Sequence, residues 1–199
     1  MQRPDGYRIE RLTRGQYETV LPGLAEVLVD SVEGGASVGF LSGLTHERAL
    51  DWWRKFLGDA AMTTWIARDG EGVAGVVGLH PAQQESAPHR AEVRMLLVHR
   101  RARGQGIARA LLDALEQEAM VRGRWLLVLD TETGSAAETV YRRLGWQQAG
   151  VIPDHTLDPA GTPGGTTFFW KRLSRKEPNP QSPSSTSRSR RPNASGLPA

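Results

Sequence analysis

The 199-residue sequence contains no cysteine, and this absence narrows the chemistry open to the protein. Disulfides, thiolate metal ligands and a cysteine nucleophile are all excluded, so any group transfer must use another route. The five histidines are not paired with carboxylates at the spacings typical of metal sites. We therefore expect no metal centre.

Long apolar runs are also missing from the chain. No segment approaches the roughly 18 apolar residues that cross a membrane, and the first residues lack the charged-then-apolar pattern of a secretory leader. These absences predict a cytoplasmic protein with no membrane partner.

Apolar residues almost disappear after position 173. The segment 174–199 consists mainly of Ser, Pro, Asn and Arg, and it cannot bury enough surface to offset the entropy of ordering. The sequence therefore predicts one folded domain at 1–173 and a disordered tail at 174–199. Of the 25 basic and 22 acidic residues, five basic and one acidic lie in the tail, which leaves a net charge of −1 in 1–173. The basic balance belongs to the tail, and no nucleic-acid partner is expected.

The most informative segment runs from a strand through a basic turn into a helix. Residues 92–98 form a near-continuous apolar run, typical of a strand covered on both faces. From Ala108 onwards the apolar residues recur with the 3.6-residue period of a helix, which Gly123 is placed to end. The first turn of a helix carries about four unpaired N–H groups and a partial positive charge, so the segment predicts an anion site.

Glycine and arginine in this turn suit a phosphate ligand, and a basic turn exposed to solvent is the alternative. Gly104 and Gly106 remove side chains where phosphates would approach the amides. Arg100, Arg101 and Arg103 add positive charge that suits phosphate contacts. A nucleoside triphosphate, a dinucleotide and coenzyme A all fit such a turn. Loops that bind a nucleoside triphosphate end in Gly-Lys-Ser/Thr, and those that bind a dinucleotide contain G-x-G-x-x-G. Neither motif is present here.

Arg103-x-x-Gly106-x-Ala108 matches the R/Q-x-x-G-x-G/A signature of the GNAT superfamily of acyl-CoA-dependent N-acyltransferases. The chain resembles this family over about 7–173, because its predicted elements follow the family order βααβββαβαββ. The resemblance implies an α/β fold with a single mixed, mostly antiparallel sheet, a central splay between two parallel strands, and flanking helices. Strands are predicted at 7–12, 63–68, 73–79, 92–98, 125–130, 146–152 and 166–172, and helices at about 16–32, after Thr45, from Ala108 and at 135–144.

Three blocks and one tyrosine resemble the tabtoxin-resistance acetyltransferases more narrowly. The blocks are 34–40, 90–93 and 129–138, and the tyrosine is Tyr141. This likeness implies acetyl transfer from acetyl-CoA to an amine or hydroxyl of a small molecule, possibly a toxin or antibiotic. A protein lysine or N-terminus is the alternative acceptor, and a non-catalytic acetyl-CoA-sensing module is the alternative function. The oligomeric state is not predicted.

Glu92, Asp130 and Tyr141 are the candidate catalytic residues. An alkyl ammonium has a pKa near 10, so a base must remove a proton before the nitrogen can attack. Glu92 and Asp130 lie on the two central strands and match an acidic pair that the resemblance implies, although an ion pair or a strand-end turn would also explain them. Tyr141 matches the tyrosine that the family places beside the coenzyme sulfur, and a core aromatic is its alternative.

The resemblance also implies which residues hold acetyl-CoA. The pantetheine arm would pair with one strand, and the pyrophosphate would lie on the turn and the helix start. Ala137 and Tyr141 would approach the pantetheine from a later helix. The strand residues are Met95, Leu96, Leu97 and Val98, and the turn residues are Arg103, Gly104, Gln105, Gly106, Ile107 and Ala108.

The acceptor is expected among the loops at 34–40 and 154–165 and the second predicted helix. Trp52 and Trp53 are adjacent on that helix, so at most one can point fully inward. Core packing for Trp53, a flexible connector at 34–40 and a solvent-facing His155 are the alternatives. The predicted acceptor residues are Gly35, Ala36, Ser37, Val38, Phe40, Trp53 and His155.

Overall fold

The computed structural model describes residues 6–174, so nearly all of the predicted tail lies outside the described residues. Seven strands form one mixed sheet in the order β1-β2-β3-β4-β5-β7-β6, and four helices flank it. The strands are β1 (Arg8–Arg11), β2 (Thr63–Asp69), β3 (Gly72–Pro81), β4 (Arg90–Val98), β5 (Leu126–Glu132), β6 (Gln147–Leu157) and β7 (Pro163–Arg172). The helices are α1 (Tyr17–Glu33), α2 (His46–Gly58), α3 (Ile107–Val121) and α4 (Ala136–Arg143). The predicted element order and fold class are confirmed.

Local capping signals fix the helix ends where the sequence predicts them. The Thr45 side chain accepts the backbone N–H of Arg48 at 3.2 Å at the start of α2. Gly35, Gly123 and Gly145 follow α1, α3 and α4 with positive φ angles, which an L side chain rarely adopts. These ends depend on neighbouring residues in the chain, and short-range signals therefore suffice to predict them.

A splay between two central strands is the main irregularity of the sheet. β4 and β5 run parallel but pair only over Arg90–Glu92 and Leu126–Val128. Beyond these residues the strands separate. On its other edge β4 carries one extra residue opposite β3, where Met95 has a φ of 53°. One edge of β4 is therefore free of sheet partners from Val93 onwards.

The two faces of the sheet carry separate apolar cores. One core contains the buried residues of α1 and α2, and the other contains those of α3 and α4. Leu127 and Leu129 of β5 belong to the second core. Because side chains alternate along a strand, Val128 and Asp130 point to the α1/α2 face. Glu92 points the same way, since Ala91 and Val93 lie in the second core.

The segment 154–165 differs from its prediction as a loop. β6 continues to Leu157 and β7 begins at Pro163, so only 158–162 form the turn between them. Antiparallel pairing with β7 satisfies the backbone of this glycine- and proline-rich stretch, and a bulge between Ile152 and Thr156 absorbs its irregularity.

Candidate active site

The splay leaves a notch at the C-terminal ends of β4 and β5. The main-chain groups of β4 that face β5 have no strand partner after Glu92. The predicted pantetheine residues Met95 to Val98 lie on this free edge. An extended ligand with amide groups can add to such an edge by backbone hydrogen bonds.

The turn between β4 and α3, residues 99–106, is called the coenzyme turn below, after the ligand that the resemblance predicts for it. Gly104 and Gly106 have φ angles of 77° and 79°, and a Cβ built on either meets no atom within 4 Å. Gly106 is the N-cap of α3, and no side chain among the described residues caps this helix. The side chain of Ile107 is buried, so only its main chain can face a ligand. The turn thus presents open space beside N–H groups at a helix start, which fits a diphosphate.

Two arginines of the coenzyme turn are bonded to carboxylates elsewhere in the fold. The Arg100 guanidinium bonds to Asp30 on α1 (Nε–Oδ1, 2.7 Å), and that of Arg101 bonds to Asp69 (Nη2–Oδ1, 3.2 Å). Both side chains therefore tie the turn to neighbouring elements, and their contact with phosphate stays a prediction. Arg103 donates Nε–H to the Val98 carbonyl at 3.2 Å, so its terminal nitrogens can still reach a phosphate.

The turn after β5, residues 133–135, is closed by its own side chains. Ser135 Oγ accepts the Glu138 N–H at 3.2 Å, as an N-cap serine does at the start of a helix. The Glu138 carboxylate, however, accepts the N–H of Gly134 at 2.5 Å. It also accepts from Arg142 at 2.7 Å. These bonds hold the pKa of Glu138 below its usual value, with the Gly134 N–H as the largest cause.

Tyr141 lies on α4, one turn after Glu138 and Ala137. Its ring is 5% exposed and packs in the second core, 5.7 Å from the Trp146 ring. Burial raises the pKa of Tyr141, and the negative charge of Asp130 raises it further. The phenol is therefore neutral and carries a proton at physiological pH.

The two candidate bases lie on one face of the sheet at different depths of the splay. Glu92 is aligned with Val128 in the last pair before the strands separate. Asp130 is two residues further along β5, or about 7 Å at the usual strand rise. Glu92 also lies 3.6 Å from Arg94 (Oε1–Nε), and both side chains are over two-fifths exposed. Such an exposed ion pair is weak and leaves the carboxylate free to bind a ligand.

The loop between α1 and α2, residues 34–45, crosses the C-terminal end of β5 and is hydrogen-bonded to β5 and to the β6–β7 hairpin. The Ser37 N–H donates to Glu132 Oε2 at 3.4 Å, and the Ser37 hydroxyl donates to the Leu157 carbonyl at 3.1 Å. The N–H and hydroxyl of Ser42 both donate to the Pro159 carbonyl at 2.8 Å. The loop and the β6–β7 hairpin thus form one cover. A cavity of about 360 Å³ lies between the end of α1, residues 42–44 and residues 158–160.

The predicted role of Trp53 in the acceptor pocket is wrong. Its side chain is 0% exposed and packs inside the α1/α2 core, which places it out of reach of a ligand. Trp52 is the half-buried member of the pair, and its ring lies 5.7 Å from that of Phe40. Phe40 and Val38 pack against the rim of the same core, while Gly35 and Ala36 continue the C-terminal turn of α1.

His155 is exposed on β6 and close to the strand that pairs with Asp130. Its Nδ1 lies 3.1 Å from the Thr166 hydroxyl, and its ring lies 5.6 Å from that of Phe168. Phe168 pairs with Asp130 across β5 and β7. The structure thus brings His155 close to the residues that pair with the end of β5, where Asp130 lies.

Sequence reasoning missed two acidic residues, Asp30 and Glu132. Asp30 interrupts the apolar face of α1, and an acid in such a stripe was an available signal. Glu132 lies two residues after Asp130, on the same face of β5, and gave no separate signal.

Within residues 6–174 no cluster of three or more His, Asp or Glu side chains could hold a metal ion. In the same range no helix is both long and apolar enough to cross a membrane.

The chain matches the family model described as Acetyltransferase (GNAT) family over residues 30–146. This match covers the coenzyme turn, all three candidate catalytic residues and both turns that follow the splayed strands.

Curated relatives share the same central segment. N-acetyltransferase 8B of Rattus norvegicus is 34% identical over 113 residues, which cover 56% of this chain and 51% of the relative. N-acetylaspartate synthetase of Danio rerio is 35% identical over 99 residues, or 49% of this chain and 33% of that protein. The chain therefore spans at most about half the length of these relatives.

Solved structures share the fold over most of the chain. Ribosomal-protein-alanine N-acetyltransferase from Brucella melitensis superposes with a TM-score of 0.67 at 25% identity, covering 83% of this chain and 99% of that one. The Salmonella typhimurium protein yncA, solved with its cofactor acetyl-CoA, superposes with a TM-score of 0.66 at 19% identity, covering 88% and 99%.

Proposed function

Because the chain belongs to the acetyltransferase (GNAT) family, we propose that it is a cytoplasmic enzyme that transfers an acetyl group from acetyl-CoA directly to an amine, or a hydroxyl, of a small molecule. One observation carries the proposal. An uncapped helix start and a free strand edge belong to the β4 side of the splay, the two candidate carboxylates lie on the splayed strands, and the charge of Asp130 acts on the buried phenol of Tyr141. The absence of cysteine supports direct transfer without a cysteine acyl intermediate.

The residues of the notch fit acetyl-CoA, which supplies an acetyl group activated as a thioester. The N–H groups of Gly104 to Ala108 and the guanidinium of Arg103 would hold the diphosphate. The free edge of β4 at Met95 to Val98 would hold the pantetheine amides, with Ala137 close by on α4. These contacts orient the acetyl carbon without any catalytic step of their own.

Deprotonation of the acceptor is the first chemical task. A carboxylate, Glu92 or Asp130, takes the proton from the acceptor ammonium, directly or through one water. The nitrogen lone pair then forms the bond to the acetyl carbon while the carbon–sulfur bond breaks. Asp130 is the better placed of the two for this step, because it lies beyond the last β4–β5 pair and its charge acts on Tyr141.

Protonation of the departing sulfur is the second task. Tyr141 keeps its proton because burial and the charge of Asp130 both raise its pKa, so its O–H can donate a hydrogen bond to the departing thiolate, which takes up the proton released by the acceptor. The same geometry separates the two roles, because the base lies on the α1/α2 face and the acid on the α3/α4 face. The carboxylate does not take the Tyr141 proton, because a carboxyl group is a far stronger acid than a phenol.

A small-molecule acceptor is favoured by the cover over the end of β5. The bonds from Ser37 and Ser42 to the β6–β7 hairpin close the side on which a peptide groove would need to lie open. The half-buried rings of Phe40 and Trp52 and the exposed ring of His155 would suit an amine with an apolar group. A toxin or antibiotic amine, as in the tabtoxin-resistance acetyltransferases, is the acceptor class we propose to test first.

A protein N-terminus is the second candidate acceptor. It is favoured by the name of the Brucella melitensis neighbour, a ribosomal-protein-alanine N-acetyltransferase. A non-catalytic acetyl-CoA sensor is less favoured, because a sensor needs the coenzyme turn and the strand edge but not Asp130 and Tyr141.

An acetyl-CoA consumption screen tests the proposal. The panel contains amino acids, β-lactam toxins, aminoglycosides, polyamines and N-terminal peptides, with release of free coenzyme A as the measurement. We expect turnover with at least one small amine and a fall of about a hundredfold in the Tyr141→Phe variant at neutral pH, since general acids contribute about that much or more. Acetyl-CoA affinity should be unchanged in this variant.

Two outcomes would contradict the proposal. Turnover only with peptides would assign the protein acceptor, and acetyl-CoA binding without turnover across the panel would favour the sensor. Unchanged turnover in the Tyr141→Phe variant would remove Tyr141 as the acid while leaving the transfer reaction intact.

A further inference from the structure

Asp30 is a buried carboxylate that the catalytic proposal does not use. Its side chain on α1 is 9% exposed, and among residues 6–174 only Glu138 is a comparably buried acid. Burying a carboxylate costs several kcal/mol unless hydrogen bonds compensate it. Asp30 has such bonds, and all of them lead to the coenzyme turn.

Both carboxylate oxygens of Asp30 hold Arg100, near the beginning of that turn. Oδ2 accepts the main-chain N–H of Arg100 at 2.8 Å, and Oδ1 accepts its side-chain Nε–H at 2.7 Å. A surface ion pair would restrain only the side chain of the arginine. The bond to the main chain fixes the path of the turn itself.

The direction in which the turn leaves β4 depends on this contact. His99, the residue before Arg100, is anchored to β3 by its N–H, which donates to the Ala74 carbonyl at 2.9 Å. From Arg100 the chain continues through Arg103 to Gly104 and Gly106, where a built Cβ would meet only open space. A shift at Arg100 would therefore be passed on to the N–H groups that a diphosphate needs.

The same contact lies against the start of the loop between α1 and α2. A Cβ built on Gly34 would lie 3.2 Å from Arg100 Cδ, and Glu33 Oε2 lies 3.4 Å from the Arg100 guanidinium. Residues 34–45 form the cover of the acceptor side. Asp30 thus joins the two halves of the site at one point.

We propose that Asp30 is a positioning residue that holds the coenzyme turn in its diphosphate-binding conformation through the main chain and side chain of Arg100. The inference rests on the proposed function, since it assumes that coenzyme A binds to this turn. Asp30 does not touch the ligand and acts only through the turn.

Calorimetric titration of the full chain with coenzyme A tests this role without knowledge of the acceptor. We expect affinity to fall about tenfold in Asp30→Ala and about threefold in Asp30→Asn, because an amide oxygen can still accept the Arg100 N–H. Arg100→Gln keeps the main-chain bond and should also lose about threefold. This milder variant carries the test if Asp30→Ala does not fold.

Glu118→Gln is the matched control. Glu118 also binds two arginines, Arg11 and Arg122, but neither belongs to a turn at the splay. It should lower stability and leave coenzyme A affinity unchanged, which separates positioning from a general loss of stability. Folded Asp30 and Arg100 variants with wild-type affinity would overturn the inference alone. A wild-type chain that binds no coenzyme A would overturn the proposed function and this inference with it.

Discussion

The two splayed strands end alike, yet only one end is open to an anion. β4 and β5 each lead through a glycine with a φ near 80°, Gly106 or Gly134, into a helix. After β5 the Gly134 N–H is bonded to Glu138, and the Glu138 N–H is bonded to Ser135. After β4 no side chain of the described residues caps α3. A glycine turn before a helix becomes an anion site only where the chain's own side chains leave the N–H groups unpaired.

Side chains from elsewhere in the fold support the open turn from behind. Asp30 and Asp69 bind the side chains of Arg100 and Arg101, and Asp30 also accepts the Arg100 N–H, but neither carboxylate bonds to the N–H groups at the start of α3. In the closed turn the carboxylate is local and points into the turn. The same residue types therefore build a ligand site in one place and a structural corner in the other.

Supplying the open turn with its own carboxylate should convert it to the closed type. In Gly106→Asp the introduced side chain can accept the free N–H groups of α3 and repel a diphosphate, and we expect coenzyme A affinity to fall about a hundredfold. Gly106→Asn supplies a neutral cap and should lose about tenfold. Calorimetric titration measures both.

Gly123→Asp is the control for backbone strain. Gly123 has a φ of 73° and open space around it, but it lies at the other end of α3. This variant should bind coenzyme A normally. Wild-type affinity in Gly106→Asp would refute the assignment of the turn as the diphosphate site.

The comparison also explains what the sequence could predict. Helix ends at Gly34, Gly123 and Gly145 were predictable because caps act over a few residues. The roles of Arg100 and Arg101 were not, because their partners lie 70 and 32 positions away in the chain. A basic turn looks the same in sequence whether its arginines face a ligand or a buried carboxylate.

The acceptor side was harder to predict for a related reason. Trp52 and Trp53 are neighbours with similar local patterns, and only the packing of α2 on the sheet decides which one is buried. The β6–β7 hairpin extends through a segment rich in turn residues because pairing between distant residues outweighs local propensity. Glycine-rich loops show little periodicity in their sequence. A loop was therefore predictable near 34–40, but its hydrogen bonds to the β6–β7 hairpin were not.

Asp130 of β5 and Glu92 of β4 should also differ, in how much each contributes to catalysis. Asp130→Asn should lower kcat/KM about tenfold and flatten the rise of rate with pH, less than the loss of a sole base because Glu92 and water remain. Glu92→Gln should have a smaller effect, since Glu92 lies at the last β4–β5 pair beside Arg94. The pH–rate profile with the best amine of the screen measures both, and wild-type profiles in both variants would refute the assignment of the bases.

Glu138→Gln removes the carboxylate of the closed turn and should have the smallest effect, confined to stability. The bonds from Gly134 and then Arg142 lower the pKa of Glu138 from the ordinary 4.5. A lowered folded-state pKa gives stability that is present above pH 4.5 and is lost as the pH falls through the folded value. The variant should therefore unfold about 1 kcal/mol more easily at pH 7, and the difference should shrink below pH 4.

Urea unfolding of the wild type and of Glu138→Gln at pH 7 and pH 3.5 measures this difference. Titration with coenzyme A at pH 7 should give equal affinities for the two proteins. The substitution weakens the hydrogen bond from the Gly134 N–H, and we do not expect this turn to bind the ligand. A stability gap that is the same at both pH values would show that the carboxylate charge contributes nothing. A loss of coenzyme A affinity comparable with that of Gly106→Asp would mean that both turns serve the ligand, and the distinction between an open and a closed end would fail.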